Sequence, residues 1–276
     1  MLKYPSPLTP PRSVWTAFGL VSALASSGCG ATTTPKPSPV TLTLLAAGAT
    51  AAAVTDEIEG FEAKTGLVVK RTFGAVGLLR DAVLAGTPAD VVIVSPAIIA
   101  TLDAQHIVLD GSRVDLGQVG GGIAVRAGTT FPAITSPDDL KQTLLHADEV
   151  YYADPAKATA GAALMKICDT LGIGAEVRAK GHPFPGGKEA MQAMARSKAA
   201  TVVGATQISE ILSVPEVKLV GGYPSALQVK TTYSAIILKR SALVKDAQQL
   251  VQFFVGPAFQ ARLARSGFEP VAAAAN

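Results

Sequence analysis

The sequence predicts an α/β protein built of two lobes, each of them a mainly parallel sheet flanked by helices. From Val40 onward, short apolar runs alternate with segments of helical periodicity. This alternation is typical of right-handed βαβ units, which form parallel sheets. The chain has 276 residues, of which 49% are hydrophobic and 16% are charged. That composition supplies enough apolar material for one or two packed domains and is too apolar for a disordered chain.

The first strand and helix define a junction of very small residues. The apolar run Leu42–Leu45 predicts a buried strand, and Ala46–Ala49 then carries almost no side chain. Thr50 is a favourable cap for a helix that begins at Ala51 and stops at Gly66. A helix that starts behind small residues presents free backbone N–H groups, and its dipole attracts anions. We therefore expect one wall of a small-ligand site here.

The other elements follow in chain order. Strands are predicted at 67–73, 90–94, 123–126, 150–153, 201–203, 217–220 and 232–238. Helices are predicted at 78–85, 96–102, 160–171, 188–196, 207–212, 245–255 and 257–266, with one more that starts at Ser136. The three glycines 120–122 are expected to form a flexible joint, and 181–187 a loop rich in Pro and Gly.

Five strand-to-helix junctions consist of small or hydroxyl-bearing residues. A single junction of this kind is explained as an ordinary tight turn. Five of them together favour a ligand cleft between strand ends and helix starts. The predicted ligand-binding residues are Gly48, Ala49, Thr50, Ala75, Val76, Gly77, Thr159, Ala160, Gly187, Lys188, Thr206 and Gln207.

Charge and composition exclude several classes of partner. Without the residues before Cys29, the chain keeps 22 basic against 21 acidic residues and has no run of Lys or Arg, which argues against nucleic acid. Its three histidines lack metal-ligand spacing, and its two cysteines cannot build a disulfide framework. We expect neither a metal nor a cofactor.

The N-terminal segment indicates export. Residues 14–25 form an uncharged apolar run that is too short for a membrane span but suits a signal peptide over 1–28. Two cleavage sites compete. Ala23-Leu24-Ala25 fits an ordinary secretory signal, whereas Ser26–Cys29 resembles a lipobox followed by a Thr/Pro-rich tether over 29–39, although Ser26 replaces the usual Leu. The mature chain is expected to be periplasmic, or anchored through a lipid on Cys29 on the extracytoplasmic side.

Several motifs carry a resemblance to a known family. They are the runs 44–50 and 73–95, the latter with Gly86-Thr87-Pro88-Ala89-Asp90, then Asp154-Pro155 with Ala158–Gly161, and the ending Gly256-Pro257 with Gly267-Phe268. With these, the chain resembles the type II periplasmic solute-binding proteins, and among them the molybdate-binding-protein family of ABC importers. The resemblance implies a two-lobed clamshell, with one lobe over 40–117 plus 234–276 and the other over 118–233. It also implies a monomer that closes on a small anion and delivers it to a permease in the inner membrane.

The residues at the family's binding positions differ here. Gly48 stands where the family has its first serine, and Ala75–Gly77 replaces a serine run. Gly187-Lys188 replaces the usual helix start, and the family's closing tyrosine aligns with Gly204. With the hydroxyls lost and a lysine gained, the sequence favours a small organic anion such as a carboxylate. Molybdate or tungstate is the alternative.

Catalysis is not indicated by any motif. Cys168 and His182 are a thiol and an imidazole near each other in sequence, but Cys168 is expected to be a buried small hydrophobe. Metalloprotease, nucleophile-elbow and P-loop patterns do not occur. We expect a binding protein rather than an enzyme. A secreted sensor or an enzyme that uses the same fold is the alternative from another class.

Overall fold

The computed structural model describes residues 39–271. The predicted signal peptide 1–28, the lipidation site Cys29 and residues 30–38 of the tether lie outside the described residues. Within the described range, no helix combines the length and the hydropathy that a membrane span requires.

The described chain forms nine strands and ten α-helices in alternation. The strands are β1 Thr41–Ala47, β2 Val68–Gly74, β3 Val91–Val94, β4 Val114–Arg126, β5 Glu149–Ala153, β6 Gly181–Phe184, β7 Val202–Gln207, β8 Val217–Gly222 and β9 Lys230–Ile237. The helices are α1 Ala51–Thr65, α2 Val76–Leu84, α3 Pro96–Asp103, α4 Pro137–His146, α5 Thr159–Thr170, α6 Gly174–Ala179, α7 Gly187–Arg196, α8 Ile208–Leu212, α9 Val244–Phe254 and α10 Pro257–Arg265. A 3₁₀ turn, Gly48–Thr50, joins β1 to α1.

The strands are ordered β2-β1-β3-β9-β4-β7-β5-β6, and β8 pairs with β4 outside this path. Parallel pairing joins β1 to β2 and β3, and β5 to β6 and β7. The pairs that involve β4 or β9 are antiparallel. The predicted α/β class is confirmed, but the sheets are mixed because these two long strands run through the middle of the molecule.

Separate hydrophobic cores lie on the two sides of the middle strands. One core takes its buried side chains from β1, β2, β3 and β9 with the helices around them, and includes Phe254 and Phe259. Two clusters beyond it include Leu164 and Met191. Along β4, residues up to Gly120 pair with β9, whereas residues from Gly121 onward pair with β7 and β8. The lobe bounds given above stay a prediction.

The three glycines 120–122 do not form a separate joint, because they lie inside the continuous strand β4. Each is packed too closely for a side chain. A Cβ on Gly121 would lie 2.3 Å from the ring of Tyr223, and one on Gly122 would lie 2.7 Å from a backbone oxygen of Gly221. The side-chain amide of Gln228 also bonds both the N–H and the C=O of Gly121. Close packing therefore explains why glycine occupies these three positions.

Local signals predicted the helix ends well. Gly66 ends α1 in the left-handed conformation, at φ 72°. Ser136 and Asp139 form a capping box that starts α4. In contrast, the predicted loop 181–187 contains β6, and α6 was not predicted. Strand β7 extends to Gln207, so the helix predicted from 207 begins one residue later.

Candidate functional site

A small inner cavity of about 20 Å³ lies where strand ends meet helix starts. A space of this size holds about one water molecule. Its walls come from the β1–α1, β2–α2 and β5–α5 junctions, together with β7, α8, β9 and the turn before α7. The lining residues are Ala47, Gly48, Ala49, Gly74, Ala75, Val76, Ala158, Thr159, Ala160, Gly186, Gln207, Glu210 and Tyr233.

The small residues allow the helix starts to approach this cavity. Ala75 and Ala158 are the N-caps of α2 and α5, and both have extended backbone. Gly161 brings the first turn of α5 against the end of β5, since a Cβ there would lie 1.9 Å from the carbonyl oxygen of Ala153. The first N–H groups of a helix have no partner within it, so these turns can donate to a ligand.

An outer chamber of about 450 Å³ adjoins the inner cavity. The two share the lining residues Gly48, Gly74, Ala75, Gly186 and Glu210. The outer chamber is further lined by Ala51, Phe73, Leu78, Pro185, Lys188, Glu189 and Gln192. The site thus combines a narrow inner end with a wider outer part that is lined by one lysine, by Glu189 besides Glu210, by Gln192 and by small or apolar residues.

Glu210 lies between the two chambers and was missed by the sequence analysis. Its side chain is buried, with 8% of the residue exposed. The carboxylate accepts a hydrogen bond from the Thr206 hydroxyl at 2.5 Å and one from the Gly187 N–H at 3.3 Å. Burial raises the pKa of Glu210, while the bonds from Thr206 and Gly187 act in the opposite direction and the charge of Glu189 raises it further.

Gln207 and Tyr233 form a polar pair on the cavity wall. The Gln207 amide nitrogen donates to the Thr231 hydroxyl at 3.2 Å and to the Tyr233 hydroxyl at 3.4 Å. The Gln207 side-chain oxygen is buried and has no hydrogen-bond partner within residues 39–271. Because hydroxyls both donate and accept, the amide can turn over so that its oxygen accepts from the two hydroxyls. Burial raises the pKa of Tyr233, so its hydroxyl keeps its proton.

The tyrosine of this site is therefore Tyr233 on β9. The family resemblance aligned the closing tyrosine with Gly204, which does not line the cavity. Gly204 packs instead against methionines, and a Cβ there would lie 2.5 Å from the terminal methyl group of Met191. A buried tyrosine in a return strand was visible in the sequence, but only the sheet pairing shows where it lies.

The structure brings most of the predicted site residues together. Those that line the inner cavity are Gly48, Ala49, Ala75, Val76, Thr159, Ala160 and Gln207. Lys188 lines the outer chamber and is exposed. Thr50, Gly77, Gly187 and Thr206 line neither space. The roles of these residues in ligand binding stay a prediction.

In the first half of the chain, the ligand contacts predicted for Thr50 and Gly77 do not fit the geometry. The Thr50 hydroxyl donates to the carbonyl of Ala47 at 2.9 Å, so it neither caps α1 nor faces the cavity. The Gly77 N–H donates to the carbonyl of Lys157 at 2.9 Å. That bond joins α2 to the loop before α5, so this amide is not available to a ligand.

In the second half of the chain, the donor groups of Gly187 and Thr206 are likewise already hydrogen-bonded within the protein. The Gly187 N–H and the Thr206 hydroxyl both donate to Glu210. The chain's own carboxylate thus lies at the start of α7, the place that the sequence analysis assigned to an external anion. Glu210 reaches this position through the packing of α8 against α7, and the roles of Gly187 and Thr206 in ligand binding stay a prediction. Nothing in the local sequence marks the position of Glu210.

The remaining candidates are not part of the site. Cys168 is buried, and burial raises the pKa of its thiol to about 12, which agrees with a structural role. His182 stacks on Tyr151 with ring centroids 4.7 Å apart, on strands β5 and β6. Within residues 39–271, no group of three His, Cys, Asp or Glu side chains could hold a metal ion.

Comparison with known proteins now identifies the family. The model of the bacterial extracellular solute-binding proteins matches residues 42–269. The chain belongs to this family. One relative, named aconitate isomerase, from a Pseudomonas species, is 33% identical over 187 residues that cover 67% of this chain and 69% of the relative.

Solved structures support the fold of this solute-binding protein. The periplasmic molybdate-binding protein of Azotobacter vinelandii is 19% identical with a TM-score of 0.71, covering 83% of this chain and 99% of that chain. The sulfate-binding protein SubI of Mycobacterium tuberculosis is 20% identical with a TM-score of 0.71, and the match covers 85% of this chain and 88% of that chain. The predicted resemblance to molybdate-binding-like type II proteins and the two-lobed fold are confirmed.

The relatives do not agree on activity or ligand. The family is described as binding solutes outside the cell. One relative nevertheless bears the name of an enzyme, so the expectation that this chain is a binding protein rather than an enzyme stays a prediction.

Proposed function

We propose that this chain is the extracytoplasmic solute-binding subunit of an ABC importer, and that its ligand is a small organic polycarboxylate. The observation that carries the proposal is the convergence of three helix starts, those of the Gly48–Thr50 turn with α1, of α2 and of α5, on one cavity. Such starts present N–H groups and a positive dipole end to a negative group.

The shape of the site supports an organic anion. The inner cavity has room for one carboxylate oxygen, and the adjoining outer chamber has room for the rest of an elongated molecule. Lys188 in the outer chamber can pair with a second carboxylate there, while Phe73 and Leu78 contact its carbon skeleton. Because Lys188 is exposed, we expect it to contribute about 1 kcal/mol or less.

The sparse hydroxyl groups also favour a carboxylate over a tetrahedral oxyanion. In the inner cavity, Thr159 and Tyr233 are the hydroxyl-bearing lining residues among those described. The relative named for aconitate, a tricarboxylate, supports the same class of ligand. Molybdate and sulfate are the compounds to test against it, since the two structural neighbours are named for them.

A thermal-shift screen of the mature protein tests the proposal. The panel contains succinate, citrate, trans-aconitate, molybdate and sulfate. A ligand at a hundred times its dissociation constant adds about 2.7 kcal/mol to the free energy of unfolding, so a true ligand raises the melting temperature clearly. We expect at least one tricarboxylate to stabilise the protein and both oxyanions to leave it unchanged. Stabilisation by molybdate alone would contradict the carboxylate assignment.

Isomerisation of a bound unsaturated polycarboxylate is the second candidate function. The observation that favours it is a buried, titratable carboxyl group, that of Glu210, which lines the same cavity as Tyr233. Such a pair can move a proton to and from carbon. Incubating the protein with trans-aconitate in D₂O and recording proton NMR tests it. Formation of the cis isomer that Glu210→Gln abolishes supports the activity, and an unchanged spectrum excludes it for this compound.

A further inference from the structure

We propose that Glu210 is protonated when a carboxylate ligand is bound, and that it donates its proton to that carboxylate in a hydrogen bond. Ligand binding then takes up a proton from solution. This inference rests on the proposed carboxylate ligand, and it assigns to Glu210 the selection of that ligand class.

The position of Glu210 carries the argument. It lines both the inner cavity and the outer chamber, and a Cβ on Gly48 would lie 3.0 Å from its Oε1 atom. Any anion between the helix starts therefore lies in direct contact with this carboxyl group. Two carboxylates in contact cannot both stay ionised, and one proton shared between them turns repulsion into a strong hydrogen bond.

Among the residues that the structure describes, none that lines the inner cavity is a cation that could pair with Glu210. From α7, Glu189 and Lys188 face it across the outer chamber. From β9, Tyr233 faces it as a neutral hydroxyl. The lining segments of β1, β2, α2 and α5 contribute small or apolar residues and Thr159, none of which titrates. The burial that raises the pKa of Glu210 acts in the same direction as the proposed protonation.

The sign of the pH dependence follows from proton uptake. Above the pKa of Glu210 in the free protein, each bound ligand requires one proton, so affinity falls as the pH rises. The limiting slope is a tenfold loss of affinity for each pH unit. Below that pKa, Glu210 already carries its proton and the affinity no longer changes with pH.

Isothermal titration with trans-aconitate measures the uptake directly. Between about pH 7 and pH 9 the carboxyl groups of this probe are ionised, so a change in affinity belongs to the protein. Titrations in two buffers that differ in ionisation enthalpy give the number of protons taken up. We expect up to one proton for each ligand bound, and a dissociation constant that rises by up to tenfold for each pH unit.

Two glutamate variants separate Glu210 from other carboxyl groups. Glu210→Gln keeps the shape of the side chain and donates from its amide at every pH, so its binding should be independent of pH and should take up no proton. Glu216→Gln changes an exposed glutamate outside both chambers and should behave as the wild type.

The outcomes distinguish this inference from the proposed function. If wild-type protein binds trans-aconitate with no proton uptake and a flat profile from pH 7 to pH 9, the proposed proton uptake is wrong while the carboxylate ligand stands. If Glu210→Gln keeps the slope, the inference is likewise overturned. If no carboxylate of the panel binds at all, the proposed function fails and this inference fails with it. Should Glu210→Gln not fold, the proton count of the wild type still decides.

Discussion

Replacing Gly161 by alanine is expected to lower the free energy of unfolding by about 3 kcal/mol or more. The added Cβ would lie 1.9 Å from the carbonyl oxygen of Ala153 and 2.9 Å from the backbone nitrogen of Pro155. These are backbone atoms at the end of β5, and they cannot move aside as a flexible side chain does. For a domain of this size the loss corresponds to a fall of about 6–12 °C in melting temperature.

Gly60→Ala is the matched control for this substitution. Gly60 also lies in a helix, α1, but a Cβ there meets no atom of the described part of the chain within 4 Å. Alanine should therefore raise the free energy of unfolding by about 0.5–1 kcal/mol, because glycine loses more backbone entropy in a helix. Urea denaturation of the two variants measures both changes. Equal midpoints for Gly161→Ala and wild type would show that α5 does not depend on this close approach.

Replacing Gly48 by valine is expected to weaken carboxylate binding by about a hundredfold or more, equivalent to about 2.7 kcal/mol. Gly48 lines both chambers, and even its first added carbon would lie 3.0 Å from Glu210. The valine methyl groups would occupy an inner cavity of only about 20 Å³. Titration of the folded variant with trans-aconitate measures the loss.

Ala52→Val is the control for Gly48→Val. Ala52 lies in the first turn of α1 but lines neither chamber. Valine there carries the same side chain and costs a few tenths of a kcal/mol in helix propensity, so binding should match the wild type. If Gly48→Val binds as tightly as Ala52→Val, the ligand does not enter the inner cavity.

Much of the fold could be predicted from the sequence because its signals are local. The capping residues at Ser136 and the glycine at 66 fix helix ends through their own hydrogen bonds or dihedral angles. Strand β6 was missed because Gly181–Phe184 contains a proline and becomes a strand only by pairing with β5. Such pairing depends on residues about thirty positions away and leaves no local pattern.

The candidate site was predicted in part for the same reason. Small residues between a predicted strand and a predicted helix marked the junctions at Ala75 and Ala160, and both residues line the cavity. Glu210 and Tyr233 reach it through the packing of α8 and the register of β9, which sequence spacing does not show. The hydrogen bonds that Gly187 and Thr206 donate are accepted by Glu210, so they could not be predicted without knowing where Glu210 lies.

The continuous strand β4 has a consequence for how this protein unfolds. Its first part pairs with β9 beside one hydrophobic core, and its second part pairs with β7 and β8 beside the others. Because the same strand takes part in the ladders on both sides, loss of either core leaves part of the backbone of β4 without its hydrogen-bond partners. We therefore expect the described residues to unfold in one transition, and a ligand that stabilises either side to slow proteolysis of both.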